Sequence, residues 1–245
     1  MMIAIWELAH RAGVELLGLW NPSIFPSPLD VFKSLVGLIT DRDFGMALMS
    51  SLRRMAIGYA VSLVIGSIAG LILARFRYLD ESLSGLILGL QTLPNVCWLP
   101  FAILWYGYNE NAIIFVIAIG STFAITIAIE SGIKNVDPVY LRAAKTMGAS
   151  GMKIYRHVAL PASLPVVVAG MKQGWSFAWR GLIAGEMLTA TRGLGQVLTQ
   201  GRDSANVSQI VAVMVVIVAC GLLVDKLVFG QVELNVRERW GLDRT

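Results

Sequence analysis

Residues Met55–Ala74 form a run of twenty residues without a charged side chain, and Arg75 and Arg77 end it. Twenty residues of α-helix are about 30 Å long, which is the thickness of the hydrocarbon core of a bilayer. A soluble fold rarely needs an uncharged run of this length. The run therefore predicts a transmembrane helix.

Small residues follow one face of this predicted helix. Gly58, Ser62, Gly66 and Gly70 recur at every fourth position, and positions four apart lie on the same helix face. Inside a membrane, small residues let the backbone of a neighbouring helix approach closely. We therefore expect a bundle of packed helices rather than a single span dissolved in lipid.

The composition indicates several spans. Of the 245 residues, 56% are hydrophobic and 15% are charged, whereas a soluble domain has about 45–50% apolar and about 25% charged residues. The length suits about six membrane helices of about 20 residues with their loops. We predict an all-α integral membrane protein with five to six transmembrane helices. Residues 1–245 are expected to form a single domain, with a membrane core over about residues 50–230.

A second predicted span, Leu83–Trp105, contains Pro94 and Pro100. Proline removes a backbone donor and breaks a helix, and in hydrocarbon the freed carbonyl groups need protein or water around them. We therefore expect this span to be broken, and either buried against other helices or lining a path. Uncharged or weakly charged runs predict three more spans, at about residues 112–129, 166–190 and 207–230.

Two interpretations of the N-terminal stretch Met1–Trp20 stay open. The stretch is mostly apolar but carries charged side chains such as Glu7, Arg11 and Glu15, which are costly in the middle of a bilayer. It is either a short first span or an interfacial helix. Residues 21–54 contain three prolines and then an amphipathic stretch, and we expect them to form an external connection.

Positive charges predict the orientation of the spans. The loop at about residues 134–165 is the richest in them, and cytoplasmic loops carry an excess of Lys and Arg. Placing this loop in the cytoplasm leaves Arg53 and Arg54 outside, against the bias. The positive side chains of the loop are Lys134, Arg142, Lys145, Lys153 and Arg156.

The segment 137–161 of this loop, here called the hook, predicts two short helices outside the membrane. Asp137 and Pro138 start the first helix, Gly148 breaks it, and Pro161 is expected to stop the second. Ala143 and Ala144 leave room for a close contact. The segment is too long for a simple connector.

The hook resembles the coupling-loop signature of ABC importer permeases: a Glu-Ala-Ala run, a glycine four residues after the second alanine, then Leu-Pro after a fixed gap. Arg142 stands where the signature has glutamate. Further similarity to taurine, nitrate and aliphatic sulfonate permeases lies in Leu99-Pro100, Val136-Asp137-Pro138, Gly185-Glu186-Met187-Leu188 and Gly193-Leu194-Gly195. The hook residues at or beside matching positions are Arg142, Ala143, Ala144, Gly148, Ala149, Leu160 and Pro161.

The resemblance implies the permease subunit of a type I ABC importer in a bacterial inner membrane. It implies a second copy of the permease, a dimer of ATP-binding cassette subunits that the hook contacts, an external solute-binding protein, and a small, anionic solute such as a sulfonate or nitrate. The chain has no Gly-x-x-x-x-Gly-Lys-Ser/Thr loop. We therefore expect no ATPase activity and no cofactor in this chain.

Four polar residues in the spans are candidates for the translocation pathway: Gln91, Asn95, Arg180 and Glu186. An arginine inside a membrane faces a cavity or a partner. Arg180 either contacts an anionic solute or forms a structural pair with Glu186, Glu130 or a partner subunit. Glu186 favours a gating or packing role, and Gln91 and Asn95 either line the path or form structural hydrogen bonds.

Other functions fit the sequence less well. Cys97 and Cys220 show no metal or disulfide spacing, and no basic tail indicates nucleic acid. The alternative of a secondary transporter, not driven by ATP, requires internal repeats and an ion site, and an intramembrane enzyme requires a catalytic cluster. We find none of these in the sequence.

Overall fold

The structure is a computed structural model that describes residues 2–16, 18 and 24–240. All regular structure in these residues is helical. The α-helices are α1 (Met2–His10), α2 (Pro28–Thr40), α3 (Arg42–Arg75), α4 (Arg77–Thr92), α5 (Leu99–Tyr106), α6 (Glu110–Lys134), α7 (Pro138–Thr146), α8 (Met152–Ile154), α9 (Leu160–Thr189), α10 (Leu194–Asp203), α11 (Val207–Val224) and α12 (Gly230–Trp240).

Within the described residues, four helical stretches are long and apolar enough to cross a membrane. A fifth crossing is possible if the bent pair Arg77–Thr92 and Asn95–Tyr106 counts as one span. The prediction of an all-α membrane protein is confirmed. With the bent pair counted as one span, the described residues form five spans, which is the lower of the two predicted numbers. The four stretches are Arg42–Arg75, Glu110–Lys134, Met152–Thr189 and Val207–Val236.

Helix α3 packs against α6 through the predicted stripe of small residues. A Cβ atom at Gly58 would lie 2.6 Å from the Ile117 side chain, and one at Gly70 would lie 2.7 Å from the backbone carbonyl oxygen of Thr126. Both distances are below van der Waals contact. The prediction of a closely approaching helix is therefore confirmed, and α6 is that helix.

Helix α6 also receives a second set of glycines, from α9. A Cβ at Gly174 would lie 3.1 Å from Ile125, and one at Gly185 would lie 3.2 Å from Ile113. Ile125 is fully buried between α9 and Gly66 of α3. Helix α6 is thus the centre of a three-helix core.

The broken span turns where proline predicted it. Helix α4 ends at Thr92, a 3₁₀ turn runs over Asn95–Trp98, and the helix axis changes direction by 102°. Pro94 lies at the break, as expected. Pro100 does not interrupt the helix: it occupies the first turn of α5, where the missing N–H has no helical partner in any case.

The expectation that Pro161 stops the second hook helix is wrong. A single helical stretch runs from Met152 through a π-helical turn at Tyr155–Ala159 and continues as α9. Pro161 lies in the first turn of α9, and Pro165 lies inside the helix. The π-helical turn changes the hydrogen-bonding register just before Pro161, so the chain passes both prolines without ending the helix.

The N-terminal region lies beside the bundle. Residues 2–16 form α1 and a π-helical turn, which is shorter than the about 20 residues of a full span. Trp6 Nε1 donates a hydrogen bond to the Pro26 carbonyl at 3.2 Å, which holds α1 against the chain before α2. Part of the predicted stretch Met1–Trp20 lies outside the described residues.

The predicted connection over residues 21–54 is wrong in its second half. Ser27 caps α2 by accepting a hydrogen bond from the Asp30 amide, and α3 begins already at Arg42. Arg53 and Arg54, which directly precede the predicted span Met55–Ala74, lie inside α3. Arg54 is tolerated there because its charge is neutralised within the protein, as described below.

We predict that Gly70→Val destabilises the protein by about 1–3 kcal/mol, because the added atoms overpack the α3–α6 contact. Thermal unfolding of the purified protein in detergent measures this, at about 2–4 °C per kcal/mol for a chain of this size. Gly45→Val, in the same helix, is the matched control, since nothing lies within 4 Å of its Cβ position. Equal shifts in the two variants would show that the stripe does not hold the helices together.

Candidate functional site

A buried ion pair joins α3 to α9. Arg54 Nη1 lies 2.7 Å from a Glu186 carboxylate oxygen, and the two side chains are 2% and 0% exposed. Removing two charges from water is costly unless further hydrogen bonds satisfy them. The surroundings of the pair supply those hydrogen bonds.

Glu186 is satisfied from two further directions. Ser51 Oγ donates to its carboxylate at 2.7 Å, and the backbone amide of Gly195 donates at 3.0 Å. A Cβ atom at Gly193 or Gly195 would overlap Glu186 itself. The Gly193-Leu194-Gly195 sequence therefore lets the chain after α9 close over this carboxylate.

Arg54 has two other acceptors. Its Nη1 donates to the Arg192 carbonyl oxygen at 2.7 Å and its Nη2 to Glu110 at 2.9 Å, and Arg53 also pairs with Glu110. The two arginines that opposed the positive-inside bias are thus neutralised by protein carboxylates. Of the alternatives left open for Arg180, the pair with Glu186 is not formed, because Arg54 takes that place.

A second ionic cluster lies at the other end of α6. Lys134 contacts Glu130, which lies four residues before it in α6, at 2.6 Å. It also contacts Asp80 of α4 at 2.7 Å. The cluster fixes the start of the broken span to the end of α6 that leads into the hook, and Glu130, like Glu186, is not paired with Arg180.

Three of the four pathway candidates meet at the bend of the broken span. Gln91, Asn95 and Arg180 line one cavity of about 350 Å³, here called the bend cavity. Its remaining lining residues are Thr92, Leu93, Pro94, Val96 and Phe177. The fourth candidate, Glu186, lies outside the cavity in the buried ion pair, which fits the expected packing role.

Asn95 attaches the bend to α9. Its Nδ2 donates to the Phe177 carbonyl oxygen at 2.7 Å. A Cβ at Gly120 would lie 2.5 Å from the Asn95 amide, and one at Gly181 would lie 3.4 Å from it. Asn95 therefore forms the structural hydrogen bond that was one of its two interpretations, and it fills a slot between α6 and α9.

The hook has the predicted helix–turn–helix form. Asp137 caps α7 by accepting the Val139 amide at 2.8 Å, and Gly148 turns the chain with φ +85°. Nothing lies within 4 Å of a Cβ at Gly148, so the backbone conformation, and not crowding, requires the glycine.

The side chains of the hook divide into an inner and an outer set. Ala144 is buried, whereas Arg142 and Ala143 are exposed. Met147, next to the turn, is 82% exposed. Ala149 and Pro161 are half-buried and Leu160 is exposed. The hook thus presents an apolar and basic outer face.

Several contacts were missed in the sequence. The sequence does not indicate that Ser51 contacts the buried carboxylate or that Asp80 pairs with Lys134, because single polar residues in helices usually lie on solvated faces. Lys172 of α9 pairs with Asp225 at 3.0 Å. This pair was detectable in principle, since each residue places a charge in an otherwise apolar stretch and such charges require a partner.

The bundle, the broken span and the exposed hook define a multi-pass membrane protein of the transport class. The family of binding-protein-dependent transport system inner membrane components matches residues 62–239. The chain belongs to this family and is a permease of the ABC importers, a multi-pass protein of the bacterial inner membrane and not an enzyme. Membership in this family implies an ATPase partner and a binding protein. It argues against the alternative of a secondary transporter.

Relatives and a solved structure agree with this assignment. The chain is 30% identical to the aliphatic sulfonates transport permease protein SsuC of Escherichia coli, over 91% of this chain and 83% of that one. It is 26% identical to the nitrate import permease protein NrtB of Synechocystis sp., over 93% and 83%. A chain of the MetNI methionine ABC transporter, solved in inward-facing conformations, has a TM-score of 0.69 at 21% identity, covering 79% of this chain and 96% of that one.

We predict that Glu186→Ala destabilises the protein by about 3–5 kcal/mol, because it leaves the Arg54 guanidinium buried without its main counter-charge. Thermal unfolding in detergent measures the loss. Glu81→Ala is the matched control: Glu81 pairs with Arg77 on the surface, with exposed fractions of 57% and 88%, and such pairs contribute about 0–1 kcal/mol. If Glu186→Ala unfolds no earlier than Glu81→Ala, the ion pair does not join α3 to α9.

Proposed function

We propose that the chain forms the translocation pathway of an importer for a small anionic solute, and that the hook couples this pathway to a separate ATPase subunit. A dimer of permeases, two ATPase subunits and an external binding protein complete the proposed assembly. The observation that carries the proposal is the exposed hook, which is joined at both ends to helices of the three-helix core.

The geometry of the hook favours a docking role. Arg142, Ala143 and Met147 are exposed, whereas Ala144 is buried and α7 packs on the second helical part of the hook. Three residues separate α6 from α7, and α9 leaves the hook without a break. A force applied to the hook is therefore transmitted to both helices as a rigid-body movement, which is how alternating access is produced.

The broken span supports a second copy of the permease. Helix α4 has no buried residue among its 16 positions, although it belongs to the only bent span of the described residues. Leu86 and Leu88 are 59% and 57% exposed. Irregular backbone in a membrane is tolerated where protein or water covers it, and a second permease supplies such a cover.

The named relatives support a small anion as the solute. The names of SsuC and NrtB refer to aliphatic sulfonates and to nitrate, both of which are singly charged oxyanions. The bend cavity of about 350 Å³ is lined by Arg180 and by no acidic residue. A cationic solute would meet an uncompensated positive charge at this point.

We predict that Gly148→Val uncouples the transporter. A β-branched residue at φ +85° costs about 1–3 kcal/mol, which corresponds to a change of about 5- to 150-fold in the population of the docked hook. The measurement is the ATP hydrolysis that the loaded binding protein stimulates in the reconstituted complex, with co-purification of the ATPase subunit as a second readout.

Gly148→Asn is the matched control. Asparagine adopts positive φ more readily than other side chains, and the space beside Gly148 is open, so we expect stimulation to be retained to within about threefold, a difference of less than 1 kcal/mol. Full stimulation in Gly148→Val would contradict the proposal that the hook transmits the ATP-driven movement.

A further inference from the structure

The bend cavity contains a charged side chain, Arg180, that no carboxylate of the described residues neutralises. Arg180 lies nine residues before the end of α9 at Thr189, which is about 14 Å along the helix. This depth puts the guanidinium well inside the membrane-spanning stretch. Charged side chains at such depth face a cavity or a partner, because lipid does not solvate them.

The two carboxylates that the sequence offered as alternative partners of Arg180 pair with other side chains. Glu186 pairs with Arg54 at 2.7 Å and Glu130 pairs with Lys134 at 2.6 Å. Among residues 2–16, 18 and 24–240, no carboxylate forms an ion pair with Arg180. Its closest aromatic neighbour is the Phe177 ring, whose centroid lies 5.6 Å from Cζ.

This contact with Phe177 leaves the Arg180 guanidinium available to a counter-ion. A cation over a phenyl face is stabilised by about 0.5–1 kcal/mol at exposed sites, far less than a counter-ion provides. A phenyl ring carries no oxygen or nitrogen acceptor, so the N–H groups of the guanidinium stay available for one. Arg180 is itself exposed, so a solute in the cavity reaches it.

The bend holds its polar lining in a fixed place. Asn95 donates to the Phe177 carbonyl at 2.7 Å, three residues before Arg180. This hydrogen bond joins the 3₁₀ turn to the part of α9 that carries the guanidinium. Gln91, from the last turn of α4, lines the same cavity, and a glutamine side chain carries an amide group with two N–H donors.

We infer that Arg180 and Gln91 form an anion-binding subsite in the permease itself, which takes a single oxyanion group: a sulfonate, a carboxylate or nitrate. The planar guanidinium donates two parallel hydrogen bonds to such a group. Asn95 is a positioning residue that keeps the bend against α9. The inference rests on the proposed function of the chain as the pathway for an anionic solute. It adds that the permease, and not only the binding protein, selects for a negatively charged solute.

The test is anion binding to the purified permease–ATPase complex in detergent, without binding protein. Titration calorimetry with nitrate, ethanesulfonate and acetate is compared with ethylammonium, a cation of similar size. We expect at least one anion to bind and ethylammonium not to bind. Arg180→Gln weakens anion binding at least about tenfold, Arg180→Lys retains part of it because the charge is kept, and Gln91→Ala gives a smaller loss.

Arg202→Gln is the matched control, since Arg202 is 66% exposed and pairs with its neighbour Asp203. It leaves anion binding unchanged. The melting temperature of each variant separates a folding defect from a binding defect: Arg180→Lys that folds like the wild type and binds more tightly than Arg180→Gln supports the subsite.

Two results overturn the inference. Either none of the three anions binds to the wild type, or the anion binds equally well to folded Arg180→Gln. Failure of the proposed function is measured separately. It is observed as loss of the ATPase subunit in co-purification or as coupling that does not depend on Gly148. In that case anion binding is measured on the permease alone.

Discussion

The close packing of α3 and α9 against α6 determines how this protein is built. In a membrane, apolar side chains gain little by leaving lipid for protein, so association depends on close packing and on hydrogen bonds between helices. Glycines from both flanking helices bring their backbones against α6. Ser121 Oγ of α6 donates to the Gly174 carbonyl of α9 at 2.9 Å, which adds a hydrogen bond at the same contact.

The ionic clusters fix the two ends of this core. At the start of α6, Arg54 joins α3 to α9 through Glu186 and to α6 through Glu110. At its other end, Lys134 joins α6 to α4 through Asp80. The broken span is held at its start by this second cluster and at Asn95 by the hydrogen bond to the Phe177 carbonyl of α9, so both ends of helix α4 are attached to the core.

The fold was predictable where the pattern is local. Uncharged runs predict the spans because burying charge in lipid is costly, Pro94 predicts the break, and Gly148 predicts the turn of the hook. The Pro161 stop failed because a π-helical turn just before the proline shifts the register, which no local pattern indicates. Sequence alone also placed Glu186 on the pathway, since the arginine that neutralises it is 132 residues away.

The candidate sites, too, were predictable only where the sequence pattern is local. Gln91, Asn95 and Arg180 were selected as polar residues in apolar spans, and the structure brings them together because the bend returns the chain to α9. The sequence does not predict which of the three is available to a solute. That depends on the hydrogen bond that Asn95 makes to α9 and on the carboxylates that pair with other basic side chains.

The central claim is that the hook is the contact between this permease and its ATPase. A photo-crosslinking amino acid at Met147, 82% exposed beside the turn, tests it in the assembled complex; the control position is Tyr108, 72% exposed between α5 and α6. The account predicts a crosslink from position 147 to the ATPase subunit and none from position 108. Crosslinking of the ATPase subunit from position 108 and not from position 147 would contradict it.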